Sequence, residues 1–247
     1  MTDGRRWTLV LGVALAAAAA LLYFLQYEMF GDLEGVWRGL ISNLAFLPVY
    51  VLVATLMLDT LMRKREKAAL LKKLNMVIGV FYTEVGTRLL ELFSEFDLDA
   101  ESLRGSLADG RTWDEDDFAR LAAALGRHPY RIDCSRSDMD RLRAFLLEER
   151  AFLLGLLTNP NLLEHDTFTD LLWAVFHLVE ELAHRAPGYR PEGADAAHLA
   201  NDINRAYSRM ASDWLAYMKH LKGDYPYLFS LALRTSPFDP SAKVEVG

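Results

Sequence analysis

The chain has 247 residues, 52% of them hydrophobic, with a formal net charge of −7 and a pI near 5.4. That acidity argues against nucleic acid as a partner, because phosphate binding needs a basic face. A single cysteine, Cys134, excludes an intrachain disulfide and suits a reducing compartment.

Residues 7–27, WTLVLGVALAAAAALLYFLQY, contain no charged side chain. At about 1.5 Å of rise per residue, about 20 such residues cross a hydrocarbon core of roughly 30 Å. Trp7, Tyr23 and Tyr27 lie near the ends, where aromatic rings favour the headgroup level. A second uncharged run, GLISNLAFLPVYVLVATLML (39–58), holds Ser42, Asn43 and Pro48. These are expected to face a neighbouring helix rather than lipid. Residues 1–62 therefore read as a two-span membrane anchor, with helices about 7–27 and 39–62. A cleaved signal peptide is the rival for the first run. Its apolar stretch is longer than such a segment needs, and no clear cleavage site follows it.

Lys and Arg in the flanks set the expected orientation. Arg5 and Arg6 precede the first span, and the connecting loop 28–38 sets Glu28, Asp32 and Glu34 against Arg38 alone. After the second span come Arg63, Lys64, Arg65, Lys67, Lys72 and Lys73. Both termini are therefore expected on the cytoplasmic side of the cell inner membrane. The basic cluster acts as a stop-transfer signal and also attracts anionic lipid headgroups. The first 73 residues carry +3 against −7 overall, which leaves −10 for residues 74–247.

From Leu70 the pattern is helical. Leu71, Leu74, Ile78, Phe81, Val85, Leu89, Leu92 and Phe96 recur every three or four residues, so residues 63–96 read as a basic juxtamembrane segment and a long amphipathic helix. Gly79, Thr83 and Gly86 form a strip of small residues on an adjoining face, where another helix is expected to pack. A Gly/Ser/Asp-rich loop is expected over 97–111, then a helix capped by Thr112 and Glu115 and ending at Gly126. Ser137 should cap a helix over 138–157 that stops at Asn159-Pro160. A helix over 167–185 and a long one over 195–222 follow, the latter with the stripe Leu199, Ile203, Tyr207, Met210, Trp214, Tyr217 and Leu221. A short helix begins at Pro226, and 239–247 read as a loose tail. With no period-2 run of useful length, the fold class is all-α, an N-terminal transmembrane hairpin followed by an acidic bundle over 97–238.

The stretch FHLVEELAH (176–184) carries the strongest metal-ligand spacing in the chain, with His177, Glu181 and His184 as candidates. On a helical wheel, however, His177 and His184 fall about 160–180° from Phe168 and its core stripe, with Glu180 and Glu181 flanking them. A di-iron bundle needs two Glu-x-x-His pairs facing inward, and the zinc-peptidase order His-Glu-x-x-His is absent. The preferred reading is a solvated face, with no metal and no cofactor. KHLKG (219–223) lies at a helix end and lacks a residue of the phosphotransfer pattern, and Cys134 has no local activating partner.

Two stretches, KKLNMVIGVFYTEVG (72–86) and YPYLFSLALRTSPF (225–238), together with NLAFLPVYVLVATLML (43–58), resemble a family of uncharacterised prokaryotic two-span membrane proteins with a cytoplasmic helical domain. The resemblance implies this topology and carries no catalytic residue. The expected role is a membrane-anchored, non-catalytic interaction, scaffold or regulatory protein, with a protein partner of unknown identity and room for a homo-oligomer. The alternative is an oligomeric channel or transport accessory, and a membrane-bound enzyme using the 177–184 face comes third.

Overall fold

Gly31 adopts φ +60°, in the left-handed region that glycine occupies without strain, and turns the chain between two long helices. These are α1 (Thr2–Phe30) and α2 (Leu33–Phe81). The computed structural model describes residues 2–107, 113–160, 162, 166–239 and 242, and side chains for these except 2–9, 11, 30 and 67–72. The Asp32 carboxylate accepts from the Gly35 N–H at 2.9 Å and caps α2. Asn43 donates its side-chain amide to the Tyr23 hydroxyl at 3.1 Å, so the polar residue expected at a helix–helix contact makes one. Pro48 lies inside α2. Two stretches, Gly12–Met29 and Leu33–Glu66, are long and apolar enough to cross a membrane, and none of either is buried in the protein.

By internal contacts the chain divides into two compact units, Met1–Lys67 and Ala68–Gly247. Among its described residues the regular structure of the second is helical, with an isolated antiparallel bridge between Asp97 and Ile132. After α2, five residues, Tyr82–Gly86, form a π-helical turn, and α3 (Thr87–Phe96) follows. Then come α4 (Ala100–Leu107), α5 (Glu115–Arg127), α6 (Met139–Glu148), α7 (Arg150–Leu157), α8 (Asp166–Ala183), α9 (Gly193–Asp224) and α10 (Pro226–Arg234).

The stripe read from the sequence is the buried face of this segment: Leu74, Ile78, Phe81, Val85, Leu89, Leu92 and Phe96 are all in the core. The π turn inserts a residue into the period and so buries the neighbours Phe81 and Tyr82 together. Phe81 meets Phe168 edge-on at 5.4 Å, and Tyr82 stacks on Tyr217 at 5.3 Å. The Tyr82 hydroxyl donates to the Met210 carbonyl of α9. α9 is the axis of the domain, with Leu199, Ile203, Tyr207, Met210, Trp214 and Leu221 buried against its neighbours.

Several local expectations need correction. The segment expected as a loop over 97–111 contains α4, whose Ala100, Leu103 and Leu107 are buried at helical spacing. Residues 108–112 lie outside the described part, Thr112 of the expected capping box among them. The box that forms is Asp114 with Asp117, each carboxylate accepting the other's backbone N–H at 2.8 Å. The helix expected over 138–157 is two, broken at Glu149. Its cap is Asp138 rather than Ser137, whose hydroxyl instead donates to Glu95. An aspartate in the right backbone conformation offers a charged acceptor to the first-turn amides, which a serine donating elsewhere does not.

The small-residue strip divides. A Cβ on Gly79 would lie 3.2 Å from the Tyr217 hydroxyl, so α9 does approach there. Thr83 is exposed and bonds back to the Gly79 carbonyl. The space over Gly86 is filled from within its own segment: a Cβ would lie 2.6 Å from Tyr82 Cδ1 and 2.9 Å from Phe81 Cε1. Both rings are buried and cannot withdraw. Gly86→Ala should therefore destabilise by about 1–3 kcal/mol. Gly155→Ala, in α7 with nothing within 4 Å, should stabilise by up to about 1 kcal/mol through helix propensity. Thermal melts of the two variants, expected to move in opposite directions, check this.

Candidate functional site

Residues four apart share a helix face. On α8 these are His177 and Glu181, and on α9 they are His198 and Asp202. α8 and α9 pack on one another, joined through the loop 184–192, and the two pairs meet at the loop end of this helical hairpin. One donor atom from each of the four lies within 4.8 Å of every other. His177 Nε2 is 3.2 Å from Asp202 Oδ2, and His198 Nε2 is 3.4 Å from the same oxygen. Glu181 lies 3.9 Å from His177 Nε2 through Oε1 and 3.6 Å from His198 Nε2 through Oε2.

The quartet is graded in burial. Asp202 is buried, Glu181 half-buried, and the two imidazoles have side chains 44% and 50% exposed. Arginines hold the carboxylates from behind. Arg185 Nη1 donates to Glu181 Oε2 at 2.8 Å, and Arg205 Nη1 sits 3.3 Å from Asp202 Oδ1. Arg185 also reaches Asp195 Oδ1 at 2.6 Å, fixing the end of α8 to the start of α9. Its guanidinium holds the carboxyls of both Glu181 and Asp195 below the usual carboxylate range.

The polar face of α8 is thus not simply solvated. His177 and Glu181 turn toward α9, and α9 supplies His198 and Asp202, which the sequence reading did not single out. The signal was present as a second His-x-x-x-acid pair, 21 residues after the first. His184 does not join: it is exposed, and its Nδ1 donates to the Glu180 carbonyl at 2.7 Å. Glu180 is taken by Arg150 of α7, which donates twice to Oε1. His220 pairs with Asp224 at 2.9 Å within α9.

A second polar group fastens α3 to the segment after α5. His128 Nε2 lies 2.7 Å from Asp97 Oδ2, with both side chains almost fully buried. Ser102 Oγ is 3.3 Å from His128 Nδ1, but its own proton goes to the Asp99 carbonyl at 2.9 Å. The three groups in line therefore brace the backbone and do not make an activated nucleophile. Cys134 is equally quiet. It is buried, its thiol lies 3.5 Å from the Ala196 carbonyl, and burial pushes its pKa up to about 11.

The basic residues Arg63, Lys64, Arg65 and Lys73 are exposed, whereas the side chains of Lys67 and Lys72 lie outside the described residues. The two stretches that carried the family resemblance do meet. Asn75, Gly79 and Glu84 share a cleft of about 440 Å³ with Tyr217, Tyr225 and Leu228.

These features define an all-helical protein with an apolar helical hairpin at its N-terminus. The chain belongs to the family of the uncharacterised protein MJ1433. Residues 2–62 match the model of its N-terminal helical domain, and residues 70–234 match its C-terminal helical domain. The MJ1433 protein of Methanocaldococcus jannaschii is 37% identical over 237 residues, covering 96% of this chain and 95% of its own length. No solved structure matches.

Burial also acts on Asp213 of α9, whose carboxyl is pushed up to about 6 and whose Oδ2 accepts no hydrogen bond. An unfolded aspartate titrates near 3.9, so between about pH 6 and 4 the folded chain holds a proton that the unfolded chain has released. Folding is therefore favoured as pH falls through that window, and the penalty on the charged form is felt in full above it. Asp213→Asn should raise stability at pH 7.5 by on the order of 1–3 kcal/mol, with the gain gone by about pH 4. Denaturant melts at both pH values check this.

Proposed function

We propose that the protein is a membrane-anchored, non-catalytic interaction or regulatory module, with α1 and α2 crossing the cytoplasmic membrane and both termini in the cytoplasm. The supporting observation is the state of the two apolar stretches, 12–29 and 33–66, which bury nothing inside the protein. Val10, Leu22, Phe24, Ile41, Leu52 and Leu58 are each at least half exposed. Contiguous apolar surface of this extent needs a covering medium, and helices of this length and composition match a bilayer. Exposed Arg63, Lys64 and Arg65 stand at the C-terminal end of the second stretch, where the positive-inside tendency and anionic headgroups both favour them. The domain beyond carries most of the acidic charge, so repulsion from an anionic leaflet leaves its surface free for a protein partner.

A reporter fused after Gly247 should be active only when it requires the cytoplasm. One inserted beside Gly31 should be active only when it requires the outside. A C-terminal reporter active outside the cell would overturn this reading.

A further inference from the structure

We propose that α8 and α9 together bind one divalent first-row transition-metal ion, ligated by His177, Glu181, His198 and Asp202. The first support is spacing. Ligands about 2.0–2.1 Å from a tetrahedral ion stand about 3.3–3.4 Å apart. The four cross-pairs of imidazole nitrogen and carboxylate oxygen measure 3.2, 3.4, 3.6 and 3.9 Å. One donor atom from each of the four lies within 4.8 Å of every other, so closing the set on a central ion is a matter of side-chain rotation.

The second support is independent of the cluster's shape. Asp202 is 1% exposed, and neither of its oxygens accepts a hydrogen bond. Two imidazole nitrogens approach Oδ2, and neither does so in hydrogen-bonding geometry. A carboxylate removed from water in this way carries a heavy desolvation cost, which the Arg205 guanidinium at Oδ1 offsets on one side only. A cation at the convergence point of both Nε2 atoms and Oδ2 satisfies the remaining lone pairs together.

The donor set then selects the ion. Two imidazoles with two carboxylates suit zinc, iron, manganese, cobalt or nickel. Calcium and magnesium favour all-oxygen shells. Arg185 and Arg205 occupy the outer positions that orient ligating carboxylates. The half-exposed imidazoles leave one side of the site toward solvent, which gives the ion a way in. Because two ligands come from each helix, the ion would clamp the α8–α9 hairpin, and metal occupancy would be linked to the stability of the domain.

The test uses the untagged full chain in mild detergent, stripped by chelator and titrated with Zn²⁺ and Co²⁺. One equivalent per chain is expected, with a rise in melting temperature and, for Co²⁺, visible absorption of a nitrogen/oxygen site. His198→Gln and Asp202→Asn should each weaken binding at least about a hundredfold, since loss of an outer-shell partner alone costs up to that much. Both variants should keep a cooperative melt without metal, as His198 is half exposed and asparagine matches aspartate in size. His184→Gln, one turn away and outside the quartet, should bind as the unaltered chain does. Failure of the folded chain to take up either ion would overturn the proposal. So would equal affinity in the His198 and Asp202 variants, or a loss in His184→Gln as large as theirs.

Discussion

Everything in the second unit is hung on the buried stripe of α9. Tyr207, Met210 and Trp214 lie at its centre, and α3, α5, α8 and α10 each pack on some part of it. A helix of 32 residues that buries one face along its length leaves its flanks to be shared with its neighbours. On the flank facing α8 the chain places His198 and Asp202. The polar quartet is therefore a consequence of how the apolar stripes of α8 and α9 meet. Apolar contact sets the distance between the helices, and that distance brings the two polar pairs to within 4.8 Å of one another.

The parts of the fold that repeat with the helical period were legible in the sequence. The stripe from Leu74 to Phe96 and that of α9 are buried as their spacing requires, and Pro226 opens α10 as a proline at a helix start should. Features that depend on a single local choice were not. Asp114 and Asp138 take the caps expected of Thr112 and Ser137, because a cap is decided by backbone conformation and by competing partners. α4 was hidden by Gly105 and its serines, whose propensities outweighed three apolar residues at helical spacing.

Half of the candidate site was legible for the same reason that the other half was not. His177 and Glu181 share a face of one helix, which a helical wheel displays directly. Their meeting with His198 and Asp202 is a tertiary event between two polar flanks, and a wheel drawn for one helix marks such a flank as wet. The buried Asp202 was the discriminating residue, since an acid on the flank of a core stripe is exposed unless something holds it inside. The apolar helices pose the reverse case. Their composition announces itself in the sequence, and neither apolar stretch is buried inside the protein.

Cys134 gives the molecule a built-in reporter. With its pKa raised to about 11, the thiol is almost wholly protonated at neutral pH and therefore slow to react. The thiol lines a cleft of about 620 Å³ with Asp140, Gly188 and Tyr189, and Ala196 in the first turn of α9 accepts from it two residues before His198. Since the chain has one cysteine, the labelling rate of the whole protein reads out this single place. The surroundings of the start of α9 can thus be followed in solution without adding any probe to the sequence.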